Sequence, residues 1–371
     1  MKIFIISQGV PSTSAPLNGI FAWDQALALK NLGHEVSVMA LDFRRVNDRP
    51  LGKLYYKREG INVFQYSLPT GIYRRFLPIL GLICAKVYKD MKKAQGVPDI
   101  IHSHFYFMGA ILASMPSRPN CPVVITEHSS KINKPLDSIS SLDKKLAYKA
   151  YEYANVTLAV SSALAKRMEE NFSVNAVVVP DMFNLPSVEQ TLSDSDVFRI
   201  VSVGRLVRGK GFTELIYAFY QAQIPENSEL IIIGDGPLMG HLQSAAINKR
   251  VRLVGMKNRE EIVRYLQSAN MFALLSHSET FGVSYLEALS AGLPVLGTKC
   301  GGPEDFISEF NGILVPVGDM EEAALAITKM YYAKYDTEKI KSDAVEKYSS
   351  KSVASKLEEV YTSLLSTFYK S

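Results

Sequence analysis

The sequence predicts an α/β protein of two domains, each a parallel sheet flanked by helices. Three observations carry that expectation. At 371 residues the chain exceeds what one hydrophobic core ordinarily serves. Short β-rich apolar runs alternate with longer amphipathic stretches from end to end. A polar, turn-rich stretch, residues 185–196 (LPSVEQTLSDSD), interrupts the alternation near the middle and precedes a fresh strand, as a linker would. The expected domains are residues 1–184 and 185–351. The final helical segment, about 352–371, lacks a strand partner and is expected to pack back on the first domain.

The elements follow in order. Strand-like runs stand at 2–7 (KIFIIS), 35–40 (EVSVMA), 123–127 (VVITE) and 156–160 (VTLAV) in the first half. In the second they stand at 198–203 (FRIVSV), 229–233 (ELIII), 251–254 (VRLV) and 271–275 (MFALL). Helical periodicity falls between them, as at 20–31 and 211–222. Gly33 and Gly292 stand where a helix ends in a left-handed residue, and Pro294 blocks continuation past the second. Asn258 with Glu261 three residues on is a capping pair for a helix reaching about Ser268. In sheets of this kind ligands bind at the carboxyl ends of strands, so functional residues are sought just after each run.

Bulk properties narrow the class. Hydrophobic residues at 47% and charged residues at 21% describe an ordinary globule, and a formal charge of +4 is too mild to argue for a nucleic-acid partner. Cys84, Cys121 and Cys300 are far apart and odd in number, which suits a reducing cytoplasm and gives no zinc spacing. The apolar run at 3–6 is too short for a signal peptide and reads as a first buried strand. No window approaches the ~20 apolar residues that span a bilayer.

Two segments of the second half carry chemistry. In VGRLVRGKGF, Arg205 and Lys210 bracket a strand-to-helix loop whose backbone Gly204, Gly209 and Gly211 free. Arg can fork onto two phosphate oxygens while Lys acts as a point charge, so the loop reads either as a phosphate cradle or as a solvated surface loop. In SETFGVSYLEALSAGLPV, Glu279 lies in a short loop, a helix starts near Gly282 or Val283, and Glu287 lies one turn inside it. The free N–H groups of that first turn, at Phe281, Gly282 and Val283, make an anion site flanked by the two carboxylates. A nucleoside-diphosphate sugar fits: one acid for sugar hydroxyls, one for ribose, diphosphate between. Taken singly, each glutamate is also explained as an ordinary helix-start acid or surface decoration; the glycine-bearing loop and the two cations are not.

These residues resemble the signature of the retaining glycosyltransferases of family 4, in which two glutamates stand with seven residues between them, as Glu279 and Glu287 do. The resemblance runs through GRLVRGKG (204–211), IIGDGPL (232–238), VRLVG (251–255), LPVLGTKCGGPEDFI (293–307) and NGILVPVGD (311–319), across essentially the whole second domain. It implies the GT-B fold, with two Rossmann-like domains facing each other across a cleft. It implies that Glu279 binds the donor sugar, Glu287 the ribose, Arg205 and Lys210 the departing diphosphate, and the backbone near Gly255 the base. In the first domain VVITEHSS resembles the segment whose histidine, here His128, faces the reacting sugar. DIIHSHF resembles the strand-end segment that would place His104 on the acceptor side; for His128 the other reading is a hydrogen-bonded histidine at a strand end. The loop LNGIF, through Gly19, would approach the phosphate. VPDMFN (179–184) resembles the turn before the second domain but carries Asp181 where the usual form has asparagine.

The expected reaction is transfer of a hexose-type sugar, with retention, to a glycan or lipid-linked acceptor in cell-surface polysaccharide synthesis, the nucleoside-diphosphate sugar being co-substrate and no cofactor being required. Front-face attack would spare the protein a covalent nucleophile, unlike retaining hydrolases. The Asp194-Ser195-Asp196 triplet has a metal-binding form but reads as a solvated turn, and Gly234, Gly236 and Gly240 mimic a dinucleotide fingerprint without the acid at the end of the following strand. Residues 44–93 hold twelve Lys or Arg against Asp48, Glu59 and Asp90. The stretch 73–93, with Arg74, Arg75, Lys86, Lys89, Lys92 and Lys93, reads either as a helix resting on the anionic inner leaflet or as a core helix with a solvated edge. The rival functions are a nucleotide-sugar epimerase, a pyridoxal-phosphate phosphorylase, and a non-catalytic subunit partnering an active transferase.

Overall fold

The computed structural model describes residues 1–13, 15–43, 52–67, 76–186, 188 and 197–370. Most of the 185–196 linker, the Asp194-Ser195-Asp196 triplet, and Arg74 and Arg75 lie outside the described residues. The chain divides into two units, Met1–Asp181 with Ser350–Ser371, and Met182–Ser349. The sequence placed these divisions at 184/185 and 351/352.

The first unit runs β1 (Lys2–Ser7), α1 (Ile20–Asn31), β2 (Glu35–Asp42), β3 (Gly52–Arg58), β4 (Ile61–Ser67), α2 (Leu77–Gln95), β5 (Ile100–His104), α3 (Tyr106–Leu112), β6 (Val123–Glu127), α4 (Ser141–Tyr153), β7 (Val156–Ala159), α5 (Ser162–Phe172) and β8 (Val177–Val178). Its eight strands lie in the order β3-β4-β2-β1-β5-β6-β7-β8. All pairings are parallel except β3 with β4. Strand β1 is buried over all but its first residue, which is why its centre reads as an unbroken apolar run rather than as alternation.

The second unit runs β9 (Arg199–Val203), α6 (Phe212–Gln221), β10 (Glu229–Ile233), α7 (Met239–Ala245), β11 (Val251–Leu253), α8 (Arg259–Gln267), β12 (Met271–Ala273), α9 (Val283–Ser290), β13 (Val295–Thr298), β14 (Gly312–Val315), α10 (Met320–Tyr332) and α11 (Thr337–Tyr348). Its six strands are all parallel, in the order β11-β10-β9-β12-β13-β14. Asn258 and Glu261 form the expected reciprocal capping box at the start of α8. Gly33 and Gly292 take the left-handed conformation that stops the helices before them.

The last helix, α12 (Ser350–Phe368), returns to the first unit, as the unpaired final segment predicted. It packs on α1 and buries Val353, Ala354, Leu357 and Tyr361. No helix of the described residues is long and apolar enough to cross a membrane.

Strand order locates the crevices. In each sheet the order reverses once, beside β1 and β5 in the first unit and beside β9 and β12 in the second. Adjacent loops leave in opposite directions at such a point and open a crevice at the strands' carboxyl ends.

Candidate active site

In the second unit the loops after β9 and β12 bring Lys210 and Glu279 together. Lys210 Nζ lies 2.6 Å from Glu279 Oε1, and Ser276 Oγ donates to the same oxygen at 2.7 Å. The backbone of Glu279 is fixed on both sides: its N–H donates to Cys300 O at 3.2 Å and its carbonyl accepts from Gly302 N at 3.1 Å. The acid is therefore held by a strand-like bridge rather than by its own loop. The next loop is tied in as well, because His277 N donates to Gly209 O and His277 Nε2 meets Glu214 Oε1 at 2.8 Å. Glu279 is buried and Lys210 only partly exposed, so their attraction is less screened than that of a surface pair.

Glycines make this convergence sterically feasible. Gly211 caps α6 at φ +66°, and a Cβ there would stand 1.9 Å from Leu275 O. At Gly302 a Cβ would stand 2.3 Å from Phe281 Cα. Gly282 precedes the first residue of α9 at φ +105°, so the free N–H groups of the helix start at Val283 open beside Glu279. Glu287 sits half-buried on that helix. Phe281 is 2% exposed and packs edge-on against Phe306 at 5.3 Å, so its side chain belongs to the core and only its backbone is available to a ligand. Arg205 is exposed at the start of the same loop as Lys210 and makes no ion pair among the described residues. Gly255 ends β11 at φ +75° and accepts from Gly234 N at 3.0 Å.

The first unit places its sequence-predicted residues at the ends of β1, β5 and β6. Gly19 caps α1 at φ +69°, where a Cβ would meet Gly9 O at 2.1 Å. His102 and His104 project from the same face of β5, two residues apart, and their rings stack at 4.6 Å. His104 Nδ1 lies 3.0 Å from His128 Nε2. His128 Nδ1 lies 3.2 Å from Asp181 Oδ1. His102 closes the row, with Nδ1 2.6 Å from Tyr361 Oη of α12 and Nε2 2.6 Å from Thr126 Oγ1. Burial depresses His102 to about 3 and carries His104 well below the ordinary histidine value. Both are therefore neutral at physiological pH. The His128 side chain is 1% exposed and both of its nitrogens are engaged. The ring is thus buried and held through both nitrogens within the first unit.

Several contributors were not legible in the sequence. Glu127 is fully buried, and its carboxylate accepts from the N–H groups of His128 at 3.0 Å and Ser129 at 2.8 Å, from Tyr106 N at 2.9 Å and from Tyr151 Oη at 2.7 Å. It anchors the loop that His128 opens. Phe105 holds φ +68°, a left-handed conformation rare for an aromatic residue, between His104 and α3. Its ring lies 5.0 Å from that of His128. An acidic residue beside a strand-end histidine is the signal that could have pointed to Glu127.

The chain thus has two α/β units, each with a topological switch point at the carboxyl ends of its parallel strands, and in the second a cation and an acid meet near a helix start. Residues 19–185 match the model of Glycosyltransferase Family 4, and residues 186–347 match that of Glycosyl transferases group 1. A glycosyltransferase of Bacillus subtilis (strain 168), TuaC, provisionally assigned to teichuronic acid biosynthesis, is 27% identical over 93% of each chain. The N-acetyl-alpha-D-glucosaminyl L-malate synthase of Bacillus anthracis is 25% identical over 98% of each chain. Among solved structures, sucrose-phosphate synthase from Thermosynechococcus elongatus superposes with TM-score 0.78 at 20% identity over 99% of each chain. Anabaena HepE in complex with UDP-glucose superposes with TM-score 0.72 at 20% identity, over 98% of this chain and 100% of that one. The class is that of glycosyltransferases with the GT-B fold. The chain belongs to glycosyltransferase family 4.

Proposed function

We propose that this chain is a metal-independent, retaining glycosyltransferase moving a hexose-type sugar from a nucleoside diphosphate to a glycan or lipid-linked acceptor in cell-surface polysaccharide synthesis. The observation that carries the reading is the meeting of Lys210 and Glu279 beside the start of α9. A nucleoside diphosphate arriving there meets Lys210, the exposed Arg205 and the N–H groups at Gly282 and Val283, all of which favour negative charge. Glu279 takes donor-sugar hydroxyls, Glu287 the ribose, and the backbone at Gly255 the base. HepE, with UDP-glucose in its solved complex, supports a nucleotide-sugar donor. TuaC, with its teichuronic acid assignment, supports a surface polymer as the destination.

In the reaction, the bond from the anomeric carbon to the β-phosphate oxygen breaks and its electron pair stays on the phosphate. The acceptor oxygen bonds to that carbon from the same face, and its proton passes to the departing phosphate. The protein supplies fixed charge where negative charge grows, at Lys210, Arg205 and the helix start. His128 and His104 serve the sugar and acceptor sides, and Gly19 the phosphate. The lysines of α2 favour an anionic inner-leaflet surface, where a lipid-linked acceptor would be found.

A thermal-shift screen of nucleoside diphosphates and their sugars tests the reading. At least one diphosphate raises Tm with and without EDTA, and Lys210→Ala reduces the shift to a small fraction. At a concentration of a hundred times Kd the ligand contributes about 2.7 kcal/mol of stability. Stabilisation or turnover that vanishes on chelation would end the metal-independent mechanism.

A further inference from the structure

Asp181 and His128 stand 53 positions apart in the chain, yet the structure sets them against each other within the first unit. Both carboxylate oxygens face one ring nitrogen, Oδ1 at 3.2 Å and Oδ2 at 3.4 Å from His128 Nδ1. Both groups are buried. An ionised carboxylate only accepts, so Nδ1 of His128 carries a proton. The other nitrogen, Nε2, is committed to His104 Nδ1 at 3.0 Å. The ring lies nearly parallel to Phe21 at 5.1 Å and 10°, and nearly parallel to His104 at 15°. A half-turn about Cβ–Cγ would set ring carbons, not nitrogens, against Asp181 and His104. The hydrogen-bonded pair then ends at His104 Nε2, which is buried and has no hydrogen-bond partner among the described residues.

We infer that Asp181 is a positioning residue: through Nδ1 of His128 it fixes the orientation and proton arrangement of the His128–His104 pair on which the sugar and acceptor sides of the site rest. This rests on the proposed function for what the pair does, though not for the arrangement itself. The physical reason is that a buried imidazole without a second partner has two tautomers of similar energy, and the hydrogen bond made by one nitrogen decides which is present. Without the carboxylate, Nδ1–H of His128 would be a buried donor lacking a partner, and moving the proton to Nε2 would only pass the orphaned donor on to His104 Nε2, so neither arrangement is held and the pair divides between them. That move would make His128 Nε2 a donor to His104 Nδ1, force the proton of His104 onto Nε2, and so reverse the sense of the pair. Asp181 is also the last residue of the first unit before the chain passes to the second. The same carboxylate could therefore serve the chain path alone, and the experiment must separate the two roles.

Four variants do so: Asp181→Asn, which keeps an acceptor oxygen; Asp181→Ala, which removes it; Asp181→Leu, which fills the volume without accepting; and His128→Gln, which assigns the His128 signal. The first readout is the two-bond proton–nitrogen correlation spectrum of the full chain with labelled histidine. Wild type and Asp181→Asn show the proton on Nδ1 of His128, and Asp181→Ala and Asp181→Leu show it divided between Nδ1 and Nε2. The second readout uses UDP-glucose as donor and UDP as product analogue. Turnover, including hydrolysis without acceptor, falls roughly tenfold to a hundredfold in the alanine and leucine variants, as expected when a reacting pair is displaced. Asp181→Asn restores it to within about threefold of wild type on the same argument. Affinity for UDP is unchanged in the Asp181 variants, because the charged groups assigned to the diphosphate, Lys210 and Arg205, belong to the second unit and neither meets Asp181. Asp181→Leu carries the test should Asp181→Ala fail to fold. The inference is overturned if the proton stays wholly on Nδ1 without the carboxylate, if Asp181→Asn is no better than Asp181→Ala, or if UDP affinity falls in parallel with turnover. If wild type binds no nucleotide and turns over no nucleotide sugar, the proposed function is what fails, while the spectrum still decides the role of Asp181.

Discussion

Single residues show how charge is handled away from water. Glu127 is wholly buried, and burial raises its carboxyl above the ordinary value of 4.5 despite the donors around it. The folded chain therefore retains a proton that the unfolded chain releases once pH passes 4.5. Across that window the native state binds more protons, so stability contributed at this position falls as pH rises. Glu127→Gln removes the titration and keeps the shape. The expected outcome is that the melting difference, wild type minus Glu127→Gln, decreases as pH rises above 4.5; a flat or rising difference would contradict the assignment. Residue-scale legibility was uneven for a physical reason. Lys210 and Glu279 were legible because each stands beside a glycine-bearing turn after a strand, where ligands bind in such sheets. The partnership of Asp181 with His128 was not, since it depends on β6 and the chain after β8 ending at the same place in the folded unit. The engagement of both His128 nitrogens was likewise hidden, because sequence spacing places a histidine at a strand end without saying what its ring meets.

Secondary-structure elements determine how closely loops can approach. The turn before α6 reaches the loop after β12 only because Gly211 has no side chain, in a left-handed conformation, with a carbonyl 1.9 Å from where Cβ would be. Gly209, two residues earlier in the same turn, has open space around it. The pair makes an internal control. Gly211→Ala should destabilise the second unit by about 2 kcal/mol or more, from the left-handed backbone and the displaced Leu275 carbonyl together. It should also weaken diphosphate binding, by moving Lys210 away from Glu279. Gly209→Ala should stay within about 0.5 kcal/mol of wild type, as surface substitutions usually do. Urea unfolding with a nucleotide titration on each variant measures both effects. At this scale parallel strands such as β1 and β10 were legible because burial on both faces makes them nearly unbroken apolar runs. The antiparallel β3 was not. Its burial is partial, and its lysines and tyrosines invited a reading as surface charge rather than as an edge strand.

Over the whole chain, the path that leaves the first unit at Asp181 comes back to it at Ser350. The returning α12 brings Tyr361 beneath the histidine row, where its hydroxyl meets His102 Nδ1 at 2.6 Å and its ring is fully buried. That return was legible as a helix without a strand partner; its contact with the site was not, because 259 positions separate Tyr361 from His102. The first unit is thus incomplete without the last residues of the chain, and its folding should register them. Trp23 is the chain's one tryptophan, and it lies buried on α1, the helix against which α12 packs, so its fluorescence reports this unit. Tyr361→Phe keeps the ring and strands a buried His102 nitrogen, which should cost about 1–3 kcal/mol. Tyr361→Ala also empties the ring's volume and should cost roughly 3–5 kcal/mol, as large-to-small aromatic truncations in cores do. Both losses should appear in the transition followed by Trp23 fluorescence, while UDP still binds the second unit with unchanged affinity. Equal stability of Tyr361→Phe and wild type would show that His102 finds another partner and that the histidine row does not depend on the returning helix.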